Sequence, residues 1–227
     1  MLTQQEVSSA ALNLEGLSVS APDGRALISS ANMSFDPGVT ALTGPNGCGK
    51  STLLRAIAML HPVDSGTISL GRLQGSHDRS GFLAQLVFMP QNFPVYPTMT
   101  GKEFLEYALR LRGAATAQAR AIAAEWLETV GLQSVAKAPC GTYSQGMRQR
   151  LGLACALQLD VPLYLLDEPF AGVDAEWREV MLNLLFRLCA DRIALISTHH
   201  VDEVLGRGAN HIQLSQGQLV MACPAMR

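Results

Sequence analysis

The sequence predicts an α/β protein with a mostly parallel sheet, and three observations predict it. The runs Pro162 to Asp167 and Arg192 to Ser197 are nearly continuously apolar at strand length, the pattern of strands buried on both faces. Helical stretches alternate with the strand-like runs, as the crossovers of a parallel sheet require. A third strand, Gly38 to Thr43, passes directly into a glycine-rich turn and then into a helix, Ser51 to Leu60.

The remaining elements follow in chain order. Leu12 to Val19 alternates loosely and reads as a strand, Ala21-Pro22-Asp23-Gly24 as a turn, and Ala26 to Phe35 as a second strand. Asp36-Pro37-Gly38 turns the chain into the strand that ends at Thr43, and Gly66 to Leu70 and Leu86 to Met89 are further strands. A helical middle follows. Thr100 caps a helix through Leu111, which Gly113 stops, and a second helix runs from about Ala117 to Val130, which Gly131 stops. Ile122, Trp126 and Val130 recur at four-residue steps on one apolar face, so Trp126 reads as a packing residue. A third helix runs from Gln145 to Leu159, a fourth from Ala175 to Cys189, and His211 to Ala222 is a closing hairpin around Ser215-Gln216-Gly217. Residues 1–227 are read as a single domain, with the helical stretch from about 93 to 160 inserted as a subdomain.

Composition narrows the function. With 227 residues and 48% hydrophobic content, a sizeable core is available. A net charge of −2 argues against a protein whose main task is holding nucleic acid, because there is no surplus of cations to displace counterions. Cys48, Cys140, Cys155, Cys189 and Cys223 are scattered, odd in number and contain no C-x-x-C pair. They form neither a disulfide framework nor a zinc site, and a reducing cytoplasm is the simplest setting. Met1 to Glu6 shows no secretory pattern, and no apolar run is long enough to span a bilayer. Any work at a membrane is therefore expected to pass through a partner.

The glycine-rich turn carries the chemistry. Gly44-Pro45-Asn46-Gly47-Cys48-Gly49-Lys50-Ser51-Thr52 has the form G-x-x-x-x-G-K-S, a phosphate-binding loop. A triphosphate needs many donors close to its oxygens. Glycines let backbone N–H groups approach it, and the helix that follows points its positive end at the phosphates. Lys50 would reach the β- and γ-phosphates, and the Ser51 hydroxyl would hold magnesium. The strand Leu163 to Leu166 ends in Asp167 and Glu168. An isolated Asp-Glu pair most often only caps the next helix. Beside a phosphate loop, Asp167 is placed to help hold magnesium and Glu168 to take a proton from an attacking water. His61, His77 and His211 are read as ordinary loop or surface residues.

In its order of motifs the chain resembles the ATP-binding cassette ATPases over nearly its whole length. The phosphate loop is Gly44 to Thr52, and Met89-Pro90-Gln91 matches the family's glutamine loop. Tyr143-Ser144-Gln145-Gly146-Met147 matches its signature, usually Leu-Ser-Gly-Gly-Gln, and Ala171-Gly172-Val173-Asp174 matches its Ser-Ala-Leu-Asp. Ser197-Thr198-His199, followed by Glu203, matches its switch histidine; the adjacent His200 leaves a register shift of one open. The resemblance implies a P-loop NTPase core with an N-terminal antiparallel β subdomain and an inserted helical subdomain. It implies ATP and magnesium as cofactors, and cassettes that pair head to tail so that each signature closes over ATP held by the other. Ser144 and Gly146 would then contact the γ-phosphate from across the interface. Gln91 would touch magnesium and the attacking water, His199 would donate to the γ-phosphate, and Asp174 would help tie the two cassettes together.

The resemblance also carries departures. The family usually stacks adenine on an aromatic residue before the second strand, but the matching position is near Ala21 and no Tyr, Phe or Trp precedes Phe35. Gln145 and Met147 stand where the signature usually has Gly and Gln. The expected function is an ATPase subunit, peripheral on the cytoplasmic face of a membrane, that powers separate permease subunits. The run Tyr143 to Leu153 is more similar to exporter cassettes, and the chain stops soon after the closing hairpin, leaving no room for the extra domain of many sugar importers. The alternative is a non-transport relative acting on ribosomes or DNA. No Asn-Lys-x-Asp guanine motif occurs.

Overall fold

The computed structural model describes residues 11–222. The reading of Met1 to Glu6 and the fifth cysteine, Cys223, lie outside them. The chain divides into two compact units. Of the described residues, the first takes 11–88, Val161–Glu168 and 186–222, the second Met89–Asp160 and Pro169–Leu185.

The first unit contains both sheets. Strands β1 (Leu12–Ser20), β2 (Ala26–Phe35), β4 (Ser65–Leu70) and β5 (Leu73–Gln74) form a sheet of order β2-β1-β4-β5, antiparallel throughout. The turn between β1 and β2 closes through Gly24 N–H donating to Ala21 O at 2.9 Å. The second sheet has the order β10-β9-β3-β8-β7-β6, from β3 (Gly38–Thr43), β6 (Leu86–Met89), β7 (Leu163–Asp167), β8 (Ile193–Ser197), β9 (Asn210–Ser215) and β10 (Gln218–Met221). The ladders β3–β8, β3–β9 and β7–β8 are parallel, and the closing hairpin β9–β10 is antiparallel. Every residue of β7 and β8 is buried, as their continuous apolar runs require.

Helix α1 (Lys50–Ile57) follows the phosphate loop and ends three residues before the expected Leu60. The cause is Met59, whose left-handed φ of 58° turns the chain so that Leu60 N–H donates back to Arg55 O at 2.8 Å. Two short helices and one short strand escaped the sequence reading: β5, α2 (Arg79–Ala84) and α7 (Val201–Leu205). Leu12, Phe35, Leu53, Leu54, Ile57, Phe82, Leu165, Leu195 and Leu214 belong to one continuous core.

The second unit is helical. It holds α3 (Gly101–Leu111), α4 (Thr116–Thr129) and α5 (Gln145–Leu157), and α6 (Ala175–Leu188) begins in it. Its core gathers Phe104, Leu105, Ala123, Leu127, Val130, Leu132, Tyr143, Leu151 and Ala154. The buried stripe of α4 is Ala119, Ala123 and Leu127, one position round from the expected Ile122–Trp126 face. Two of those three positions are alanines, while Val130 is buried as expected and Trp126 packs half-buried at the edge of that core. Among the described residues no helix is long and apolar enough to cross a membrane.

Candidate functional site

The phosphate loop begins with a glycine whose place admits no other residue. Gly44 has φ 146°, and a Cβ there would stand 2.2 Å from Leu214 O and 2.9 Å from Cys48 Sγ. Asn46 and Gly47 lie in the turn that follows, and Cys48 N–H donates to Pro45 O at 3.3 Å. Gly49 occupies the N-cap of α1 in a left-handed conformation, so the helix starts without a side chain over its first N–H groups. Lys50 is buried, and its ammonium donates to Gly44 O at 2.8 Å and Pro45 O at 3.1 Å. A buried cation needs such acceptors. The ammonium has three donors, so two loop carbonyls do not exhaust it.

Behind the loop, β7 and β8 run in parallel with Asp167 opposite Ser197. Asp167 is 2% exposed, and its Oδ1 accepts from Ser51 Oγ at 3.0 Å and from Ser197 Oγ at 2.6 Å. Buried carboxylates require this kind of partnering. Ser197 also accepts Glu168 N–H at its own Oγ, at 2.9 Å, and at its carbonyl, at 3.2 Å. The sequence reading gave Ser197 no role. The available signal was a hydroxyl ending the apolar strand next to the acid-tipped one.

Glu168 follows with φ 48°, a left-handed backbone that a side-chain-bearing residue adopts only under constraint. Its carboxylate is buried and meets His199 twice: Oε2 accepts His199 N–H at 3.3 Å, and Oε1 lies 3.2 Å from His199 Nε2. The imidazole is otherwise largely exposed. His200 instead places Nδ1 3.5 Å from Glu203 Oε1. The acid downstream, taken in the sequence as a marker for His199, is thus the neighbour of His200, while His199 faces Glu168. Of the histidines left unassigned, His61 Nε2 lies 2.8 Å from Ser20 O, His77 Nδ1 2.6 Å from Gln74 Oε1 and His211 Nε2 2.8 Å from Thr43 Oγ1. All three have local structural partners.

The donor set beside the loop suits a hard divalent cation. Ser51 and Asp167 present a hydroxyl and a carboxylate 3.0 Å apart, and oxygen is what magnesium selects. Among the described residues no group of three or more His, Cys, Asp or Glu could hold a metal alone, so phosphate and water oxygens would have to complete such a site.

Four predicted residues lie in the second unit. Gln91 is exposed and lines a pocket of about 390 Å³ with Phe93, Tyr143, Gln145, Arg148 and Gln149. Ser144 is the N-cap of α5, its Oγ accepting Met147 N–H at 3.2 Å, and Gly146 lies in the first turn. Asp174 caps the start of α6, accepting Trp177 N–H at 3.0 Å. Near the expected adenine position, Ala21 is half-buried against the core, and Phe35 is only 2% exposed, so neither offers an open aromatic face.

Strand, glycine loop, helix and an acid-tipped parallel strand two places along the same sheet define a P-loop NTPase fold. A family model described as ABC transporter matches residues 28–171, and the chain belongs to that family. The linearmycin resistance ATP-binding protein LnrL of Bacillus subtilis is 35% identical over 72% of this chain and 53% of its own length. The sulfate/thiosulfate import ATP-binding protein CysA of Ralstonia nicotianae is 38% identical over 80% of this chain and 50% of its own. The chain thus spans about half the length of these two relatives. The taurine import ATP-binding protein TauB of Escherichia coli K12 is 34% identical over 86% of this chain and 76% of its own length. Among solved structures, an ATP-binding subunit of an ABC transporter superposes with a TM-score of 0.83 at 25% identity, covering 92% of this chain and 87% of the other. The ATP-binding cassette MJ0796, a dimer bound to ADP and Pi, shares the fold with a TM-score of 0.82 at 23% identity over 92% and 96%.

Proposed function

We propose that this chain is an ATP-binding and ATP-hydrolysing cassette that powers a membrane transporter by ATP-driven pairing with a second cassette. The carrying observation is the cluster behind the phosphate loop, in which Ser51 and Ser197 donate to Asp167 while Glu168 faces His199. A loop that only bound phosphate would have no need of the second acid and its histidine.

The roles follow from position. The loop Gly44–Thr52 cradles the phosphates with backbone N–H groups, and Lys50 turns its ammonium from the loop carbonyls toward the β- and γ-phosphates. Ser51 and Asp167 would hold magnesium, which when bound would neutralise charge on the terminal phosphates, and the resemblance gives Gln91 a duty toward the same ion. Glu168 accepts a proton from the attacking water, and His199, within reach of its carboxylate, orients it and donates to the γ-phosphate. Ser144 and Gly146 of one copy close on the nucleotide of the other, with Asp174 at the seam. Residues 1–227 serve as one cassette, with the helical segment from about 93 to 160 as its inserted part. Permease subunits anchor it at the cytoplasmic face of a membrane.

For direction, the run Tyr143 to Leu153 supports export, while CysA and TauB are import proteins by name and LnrL a resistance protein. Substrate movement in vesicles carrying the chain and its permease decides it. The test of the reading itself is Glu168→Gln. Nucleotide binding should persist while turnover falls by roughly 10²- to 10⁴-fold. Unchanged turnover would remove Glu168 from the chemistry.

A further inference from the structure

Two departures from the family's usual motifs meet in space. Gln145 stands where the signature usually has glycine, and Gly172 stands where Ser-Ala-Leu-Asp has alanine. A Cβ on Gly172 would lie 3.1 Å from Gln145 Cδ, 3.3 Å from Cγ and 3.4 Å from Nε2. The Gln145 side chain therefore rests on the face of Gly172 where a side chain would otherwise sit. The next residue grips the same glycine from another side: a Cβ on Gly146 would stand 2.7 Å from Gly172 O. Gly172 itself has φ 72°, so the loop is held in a left-handed turn between Phe170, whose carbonyl accepts Val173 N–H at 3.2 Å, and Asp174, which caps α6. All of these residues belong to the second unit.

We propose that Gln145 is a positioning residue: from the start of α5 it braces the loop Ala171–Asp174 through Gly172, so that Ser144 and Asp174 are presented as one block. The inference deepens the proposed function, because both are groups that reading places at the seam between cassettes. A glutamine–glycine pair does here what a glycine–alanine pair would do with the large and small partners exchanged. Gln145→Gly opens a gap under the loop. Gly172→Ala crowds the glutamine, which must shift by a few tenths of an ångström, and also strains the turn. Together they relieve the crowding but not the backbone strain.

The experiment has two arms on the purified full chain. Backbone hydrogen exchange in residues 171–174 should be about threefold or more faster in Gln145→Gly, and near wild type in Gln145→Met, whose side chain is of similar length. In MgATP turnover, both single variants should be slow with nucleotide affinity unchanged. The double variant should exceed the product of the two single effects by about threefold or more, the signature of a coupled pair. Unchanged exchange in Gln145→Gly, or a double variant equal to that product, overturns the assignment. Should the wild type show no turnover at all, the proposed function fails, and the exchange arm alone decides the brace.

Discussion

Cys48 is half-buried within the phosphate loop, its sulfur crossing back toward Gly44, where a Cβ would come within 2.9 Å of it. An added alkyl group would crowd the loop beside Gly44. Alkylation of Cys48 should therefore block nucleotide binding, and bound ATP should slow the labelling. Burial pushes the thiols of Cys155 and Cys189 up to about 12, so both remain protonated and unreactive in the native protein at pH 8. Peptide mapping after brief iodoacetamide treatment separates the sites; equal labelling of Cys48 with and without ATP would count against the cradle. Ala21 supports a second prediction. With no open aromatic face there, phosphate contacts must carry binding, and ATP and GTP should bind with similar affinity. Ala21→Tyr should restore a stacking surface worth roughly 1–3 kcal/mol, or roughly 5- to 150-fold tighter adenine nucleotide binding by calorimetry. An unchanged affinity would mean that another residue already supplies the platform.

At the scale of elements, α3 shows how a short polar pattern fixes a helix start. Thr100 Oγ1 accepts Glu103 N–H at 3.2 Å, and Glu103 Oε2 accepts Thr100 N–H at 2.9 Å, a reciprocal capping box. The backbone hydrogen bond from Thr100, then its hydroxyl, hold the Glu103 carboxyl below the ordinary glutamate value of 4.5. The unfolded chain therefore binds the proton more tightly than the native one. The box contributes its stability fully above pH 4.5 and loses it as the pH falls through the lowered value. Glu103→Gln should flatten the melting temperature against pH in that acid range, and an unaltered profile would show the carboxylate to be idle. The sequence made this helix legible because Thr100 and Gly113 are local signals at its two ends, while the reciprocal bond from Glu103 emerged only in the structure. The strands β7 and β8 were legible for the same reason, since burial on both faces writes itself as an apolar run. The site was legible where motifs are contiguous, as in Gly44–Thr52. What escaped was set by distant neighbours. The helix α1 ends early because Met59 takes a left-handed turn, and the stripe of α4 lies on small alanines that periodicity alone undervalues. Ser197 matters only because parallel pairing sets it opposite Asp167.

At the scale of the whole molecule, the claim that matters is that two chains share nucleotide. A single copy offers the phosphates one loop, one acid pair and one histidine. In the proposed function the second set of donors comes from Ser144 at the N-terminus of α5 in another copy. That helix has 13 residues, and its exposed serine accepts from its own Met147 N–H while remaining open to solvent. Glue of this kind has a definite signature. Pairing must depend on nucleotide, persist when hydrolysis is stopped, and weaken when the donor is removed from the far side. Light scattering should therefore find Glu168→Gln dimeric with ATP and magnesium, either alone or together with its permease, and monomeric without nucleotide. Adding Ser144→Ala to Glu168→Gln should weaken that dimer. It should leave nucleotide binding by the isolated chain unchanged, since the serine serves the other copy's site. Loss of a hydrogen bond to a charged phosphate corresponds to about 1.5–3 kcal/mol per site, and the symmetric dimer contains two such sites. Dissociation should then rise by at least roughly a hundredfold. A dimer equally tight with and without Ser144, or one that forms without ATP, would mean that the seam is built from something other than shared phosphate.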